Sequence, residues 1–313
     1  MEAIGGYFEL ELRKGEHYHQ DALRLNTARN CFEYILLARK YTKVYIPYYT
    51  CEVMLQPLHK LHIAYEFYHI NESLEPVEII QLGKSEAFLY TNYFGLKQRC
   101  VEYLASIYQS QLIVDNAQAF YAPRIAGIDT FYSPRKFFGV PDGGYLYTDV
   151  ALEVEFFKDK SYNRMQHLLQ RIDEGAESAY IKFRENDDAL DNQPIKNMSA
   201  LTERILESVD YEDIKRRRIE NYLLIDKKIR NRNMFRFVLP ENAVPMVYPY
   251  MTEMQNLKDT LILNRIFIAT YWPNVFEWTR SGMLEYTLAK ELVLIPIDQR
   301  LNARDFNYIE NFI

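Results

Sequence analysis

The sequence is poor in several features that would assign it to a class at once. No run of about 18 apolar residues exists, so nothing in it reads as a membrane span. Cysteine is scarce: Cys31, Cys51 and Cys100 are the only three. Their wide spacing and odd number argue against a disulfide framework and against a zinc site. Six histidines are scattered along the chain; His17 and His19, flanking Tyr18, are no metal pair by this reading. There is no positive excess, the net charge being −6. That excludes a basic footprint for nucleic acid and a polybasic patch for a membrane surface. The opening stretch, MEAIGGYFELELRKGE, alternates charged and apolar residues and lacks the apolar core of a secretory signal. Neither repeats nor low-complexity tracts interrupt the chain. A reducing cytoplasm is the expected location.

What is present is core-forming material. Of 313 residues, 48% are apolar and 26% charged, enough for a sizeable core and against disorder. Between about residues 26 and 150, short apolar runs alternate with helical patterns. NTARNCFEYILLARKY sets Ala28, Phe32, Ile35 and Leu36 on one helical face. KVYIP, IAYEFYHI, EAFLYTNYFG and QLIVDNAQAF read as strands, and CEVMLQPLHKL as a helix between them. This alternation predicts a mostly parallel sheet with helices on both faces. Ligands of such sheets sit beyond the carboxyl ends of the strands. Asp115, ending LIVD, and Asn92-Tyr93 belong at that edge. From about 151 to 235 the chain is charge-rich and helical, and Arg216-Arg217-Arg218 read as a solvated helix face. Strand-like runs resume in MFRFVLP, AVPMVYPYM, RIFIATYWP and LVLIPID, punctuated by Pro240, Pro245, Pro249 and Pro273. These form a small α+β domain.

Four pieces carry chemical interest. LNTARN opens a helix, where free N–H groups and the dipole suit an anion such as phosphate; the plain alternative is a cap. Asp115 with Gln118 three residues on would hold an aromatic ring nitrogen protonated, or else form a loop salt bridge. Lys136 in YSPRKFFGVPDGG is either a solvated cation or an amine for carbonyl chemistry, its pKa lowered by Phe137, Phe138 and Arg135. Gly143-Gly144 allow close backbone approach or a strand starting in a tight place.

In that order the pieces resemble the DegT/DnrJ/EryC1/StrS group of pyridoxal-phosphate (PLP) sugar aminotransferases, of aspartate aminotransferase fold type I. VDNAQAF is similar to the group's Asp-x-Ala-His/Gln-Ala segment and SPRKFFGVPDGGYLYT to its lysine segment. VYIPYYTCEVMLQPL, VPMVYPYM, RIFIATYWP and LVLIPIDQR resemble further pieces. The resemblance implies a three-layer α/β/α large domain over residues 1–210 and a small α+β domain over 211–313. It implies PLP as cofactor, with Lys136 as the internal-aldimine lysine and proton carrier. Asp115 then pairs with the ring nitrogen, Gln118 lies near the ring hydroxyl, and Thr27 and Ala28 offer donors to the phosphate. An aromatic from YYTC would cover the ring. A homodimer, glutamate as amino donor and a nucleotide-linked keto sugar as acceptor are implied in the same way. A retained lysine argues against the group's dehydratase branch.

Some positions depart from the group's pattern. Phe131 stands where a phosphate-binding serine is usual, with Ser133 or Thr130 as substitutes. YNRMQ has Asn163 directly before Arg164, unlike the usual Asn-x-Arg spacing. These departures raise a second expectation: a fold-type-I homologue that has lost catalysis and acts as a binding or assembly partner. A lyase reaction would want a reactive cysteine, for which only Cys51 is placed. Gly5-Gly6-Tyr7-Phe8 border the site of a dimer or form a plain turn. Trp272 lines a pocket or packs in the small domain.

Overall fold

The computed structural model describes residues 4–235 and 237–313. Strand β1 (Leu23–Leu25) leads into helix α1 (Ala28–Arg39). There follow β2 (Lys43–Pro47), α2 (Leu55–Lys60), β3 (Ala64–Tyr68), β4 (Glu86–Thr91), α3 (Gln98–Tyr108), β5 (Leu112–Asn116), β6 (Asp129–Tyr132) and β7 (Gly144–Tyr147). These seven strands make one sheet in the order β1-β7-β6-β5-β4-β2-β3. β3, β2, β4, β5 and β6 run parallel; β7 is antiparallel to both of its neighbours.

The period of two along each strand divides the core between the faces. Ala87, Leu89, Ile113, Phe131 and Leu146 pack with the buried stripe of α1 and with α2. Phe88, Tyr90, Val114, Tyr132 and Tyr145 pack on the other face with α3 and the C-terminal elements. Val101, Leu104, Ala105 and Tyr108 form the inward face of α3, at the spacing an amphipathic helix requires. The sheet is therefore covered on both sides, the α/β architecture expected from the alternation.

Beyond β7 come α4 (Gln166–Glu174), α5 (Ala176–Ala189), α6 (Ala200–Glu207) and the long α7 (Tyr211–Ile229). Then follow β8 (Val247–Tyr250), α8 (Leu257–Leu263), α9 (Val275–Trp278), α10 (Leu284–Glu291), β9 (Val293–Pro296) and α11 (Ala303–Glu310). β8 and β9 pair antiparallel as a separate two-stranded sheet. Two strand expectations fail here. RIFIATYWP follows α8 without forming a strand, and no strand forms among the described residues of MFRFVLP. Both are apolar enough for a strand, but neither finds a partner edge in a sheet of only two strands. No helix among the described residues is long and apolar enough to cross a membrane.

Candidate functional site

The register brings the chemical pieces to one edge. Asp115 pairs with Thr91 on one side and Phe131 on the other, and Asn116 pairs with Tyr132. The carboxyl ends of β4, β5 and β6 are thus level. β7 runs the opposite way, so its first residue, Gly144, lies at that same edge opposite Leu25, the last residue of β1. The start of α1 is carried there too. Thr27 and Ala28, Asn92, Asp115, Gln118, Ser133, Lys136 and Gly143-Gly144, drawn from segments far apart in sequence, converge at this edge.

Asp115 is 5% exposed. Its Oδ1 accepts a 2.8 Å hydrogen bond from the Ala117 N–H. No arginine or lysine pairs with it among the described residues. Burial pushes its carboxyl up to about 6, against smaller opposing pulls from the Ala117 N–H, Lys136 and Thr91. Gln118, 1% exposed, uses Oε1 to accept from the Phe94 N–H at 2.9 Å. That bond supports Phe94 in a left-handed conformation, φ 58°. The Gln118 Nε2 is buried and finds no partner among the described residues. An amide donor held shut from water without an acceptor is costly. It fits a site whose acceptor belongs to a ligand.

Lys136 closes a single 3₁₀ turn, Pro134–Lys136, directly after β6. Its side chain is exposed to solvent at the carboxyl edge of the sheet. Its Nζ lies 5.1 Å from the centroid of the Tyr271 ring. The surrounding protein pulls the ammonium pKa down, but Tyr271, Cys51 and Asp115 outweigh it and leave Lys136 above its ordinary value. The expectation of a lowered pKa is therefore corrected. Arg135 acts in the expected direction, but its guanidinium is turned away to Asp187. The amine must lose its proton before it can attack a carbonyl.

The anion end is built differently from a bare helix start. The Thr27 hydroxyl donates to Asn30 Oδ1 at 2.6 Å and accepts from the Asn30 N–H at 3.1 Å, a cap worth about 1 kcal/mol. The Gly-Gly pair packs on that cap. Gly143 N–H donates to Asn26 O at 2.6 Å. A Cβ on Gly144 would stand 2.6 Å from Thr27 C and O and 2.8 Å from Ala28 N. Backbone cannot yield as a side-chain tip can. We expect Gly144→Ala to lower stability by about 3 kcal/mol, read as a shift in denaturant midpoint. Wild-type stability in that variant would contradict this packing.

Phe131 lies fully in the core, its ring 6.1 Å from that of Phe32, so it offers a phosphate nothing. Of the two substitutes, the Thr130 hydroxyl donates to Ile128 O at 3.2 Å. Ser133 is 8% exposed and makes no side-chain hydrogen bond among the described residues. Arg164 pairs with Asp159 at 2.7 Å and donates to Lys160 O at 3.2 Å.

Other positions resolve in favour of packing. Trp272 is buried edge-on against Tyr49, ring centroids 5.1 Å apart. It is the neighbouring Tyr271 that faces Lys136. Tyr48 stacks on Phe67, and Tyr49 lies in the core, so neither stands free to cover a ligand. His17 Nδ1 and the Tyr145 hydroxyl share a 2.6 Å hydrogen bond, and His19 Nε2 donates to Phe120 O at 2.8 Å. Burial pushes the half-buried Cys51 thiol up, which leaves it a poor nucleophile. Arg216 and Arg217 pair with acidic residues on the exposed face of α7 as expected, but Arg218 is buried, at 2% exposure.

No family model matches the chain, and no curated protein does. Solved structures do. DesI, crystallised in the presence of its TDP-sugar product, is 13% identical at TM-score 0.65, over 93% of this chain and 79% of that one. A DegT DnrJ EryC1 StrS aminotransferase from Brucella abortus is 14% identical at TM-score 0.62, over 93% and 84%. The sugar aminotransferase CalS13 from Micromonospora echinospora is 13% identical at TM-score 0.63, over 93% and 86%. The chain thus has the fold of the DegT-type sugar aminotransferases, the α/β fold type I.

Proposed function

We propose that this chain is a PLP-dependent aminotransferase. The observation that carries the reading is a buried carboxyl without a cationic partner among the described residues, Asp115, at the same sheet edge as Lys136 and Gln118, whose amide nitrogen is orphaned. Those three residues fit the cofactor. Asp115 would hold its ring nitrogen protonated, Gln118 Nε2 would donate to its ring hydroxyl, and Lys136 Nζ would attach to its carbonyl carbon. Ser133, with the backbone at Thr27 and Ala28, would take the phosphate. When bound, the cofactor supplies an electron sink for a carbanion on the substrate. The chain's part is to fix that ring, and to carry a proton on Lys136 Nζ between substrate and cofactor carbons. Tyr271 is set over Lys136, its ring centroid 5.1 Å from Nζ.

Aminotransfer to a keto sugar on a nucleotide, with glutamate as donor, is the substrate assignment we favour, supported by the sugar aminotransferases of like fold. A division at 210/211 is part of the reading, supported by α7 opening at Tyr211. So is a homodimer. What supports a second copy is the nearly complete exposure of Ile4, Tyr7 and Phe8 at the N-terminal arm and of Ile172 on α4. A cytoplasmic location completes it. The competing proposal, a homologue without catalysis, draws support from Phe131 in the core and from the Thr27 hydroxyl spent on its cap. Mixing PLP-loaded protein with amino acids separates the two. Loss of visible absorbance with glutamate, regained with a keto sugar nucleotide, is expected; a spectrum unmoved by every amino donor would favour the second proposal.

A further inference from the structure

Arg218 is the largest fully buried side chain, and the proposed chemistry leaves it unused. A buried guanidinium is normally matched by a carboxylate. The carboxylate that acts on it most strongly, Asp298, is forked instead by Arg300 at 2.7 and 2.8 Å. Arg218 makes do with neutral partners. Its Nη1 donates to Met246 O at 3.0 Å and to Pro245 O at 3.4 Å. Its guanidinium carbon lies 4.5 Å from the centroid of the Phe137 ring. Burial pulls its pKa down to about 10, so it stays cationic at neutral pH.

Those partners lead in two directions, one to the turn of Lys136 and the other to Gln118. Phe137 follows Lys136 directly, and its N–H closes the lysine's turn onto Pro134 O at 3.0 Å. Gln299 Nε2 holds the Phe137 carbonyl at 2.9 Å, so Phe137 is held twice, its ring by Arg218 and its backbone by Gln299. In the other direction, Met246 N–H donates to Phe94 O at 2.9 Å, and Phe94 N–H donates to Gln118 Oε1 at 2.9 Å. One cation on α7 therefore joins the turn that carries Lys136 to the strut that orients Gln118.

We infer that Arg218 is a positioning residue, which sets Lys136 through the Phe137 ring and Gln118 through Met246 and Phe94. The inference deepens the aminotransferase reading and rests on it for its purpose. A planar guanidinium can stack on the ring and bond the carbonyl together; an ammonium can do only the second well. The two branches therefore separate by substitution.

The test uses full-length Arg218→Lys, Arg218→Met and Phe137→Leu. In each protein without cofactor, trace acylation mapped by mass spectrometry gives the labelling of Lys136 relative to exposed Lys84. PLP affinity is measured separately. Arg218→Met should shift the labelling ratio about fivefold or more and weaken PLP binding about tenfold, as misplacement of binding and reacting groups does. Arg218→Lys should keep PLP affinity within about twofold of wild type while its labelling ratio shifts as in the methionine variant. Phe137→Leu should reproduce the lysine variant, and it stands in for the arginine variants where these do not fold. Unchanged labelling ratios with only a lower melting temperature would overturn the inference and leave Arg218 a packing residue. So would equal PLP loss in the lysine and methionine variants. Should wild-type protein bind no PLP, the cofactor reading falls by that result, while the labelling ratio still decides whether Arg218 sets Lys136.

Discussion

Asp115→Asn should melt higher than the wild-type protein at pH 7.5 without cofactor, and should transaminate about a thousandfold more slowly with it. Both effects come from one buried carboxyl. In the fold its pKa is about 6, raised chiefly by burial, whereas an unfolded aspartate titrates near about 3.9. Between those values the folded state binds more protons than the unfolded state. Stability from this group is therefore fully present below about pH 4, falls as the pH rises to about 6, and stays reduced above that. The asparagine variant lacks the slope, and its advantage above about pH 6 is about 3 kcal/mol. PLP should narrow the gap, because a protonated ring nitrogen gives the carboxylate the partner it lacks. Thermal melts from pH 4 to 8, with and without PLP, check this. Parallel curves for the two proteins at every pH would show that Asp115 has a partner the account has overlooked.

The second large effect is at Lys136. Lys136→Ala should slow the half-reaction with an amino donor by about ten-thousandfold or more, since the variant loses both its attachment point and its proton carrier. PLP should still bind reversibly, held by Asp115, Gln118 and Ser133. A small primary amine added to the solution should restore part of the rate by carrying the proton instead. Stopped-flow absorbance at several amine concentrations measures both quantities. A variant as fast as wild type would move the chemistry to another group, and one that cannot bind PLP at all would place most of the affinity in the covalent link.

The raised pKa of Lys136 sets the pH dependence of loading. Its ammonium is more firmly protonated than that of a free lysine, so capture of PLP should quicken steadily as the pH rises through the alkaline range. The acids near it produce that shift, and Asp115→Asn, by removing one of them, should move the profile to lower pH.

Much of the sheet was legible because its interior strands are continuous apolar runs between clear breaks. KVYIP coincides with β2, and GYLYT contains β7. α7 spans YEDIKRRRIENYLLIDKKI from end to end, as its periodicity predicts. β1 and β6 escaped notice because three or four residues carry too little pattern, and only pairing with their neighbours, β7 for β1 and β5 and β7 for β6, makes them strands. RIFIATYWP had the composition of a strand and no edge to join. The place of Asp115 was legible from the alternation, because strand ends in a parallel sheet share one edge; its grouping with Gln118 and Lys136 came from the resemblance. Tyr271 was not legible. It reaches Lys136 only through the packing of the C-terminal elements on the sheet, which no local spacing records. Arg218 was hidden for a related reason. Three successive arginines look alike in sequence, and the 100° step of the helix turns the third inward while the first two face solvent.

The proposed chemistry requires Lys136 as the amine that takes the cofactor. Purified wild-type protein, incubated with PLP, reduced with borohydride and digested, should yield one phosphopyridoxyl-modified peptide, SPRKFFG, with the label on Lys136 and the visible absorbance lost on reduction. Absence of a modified lysine, or a label spread over exposed lysines and unaffected by Lys136→Ala, would contradict the account and leave a shared fold without the shared chemistry.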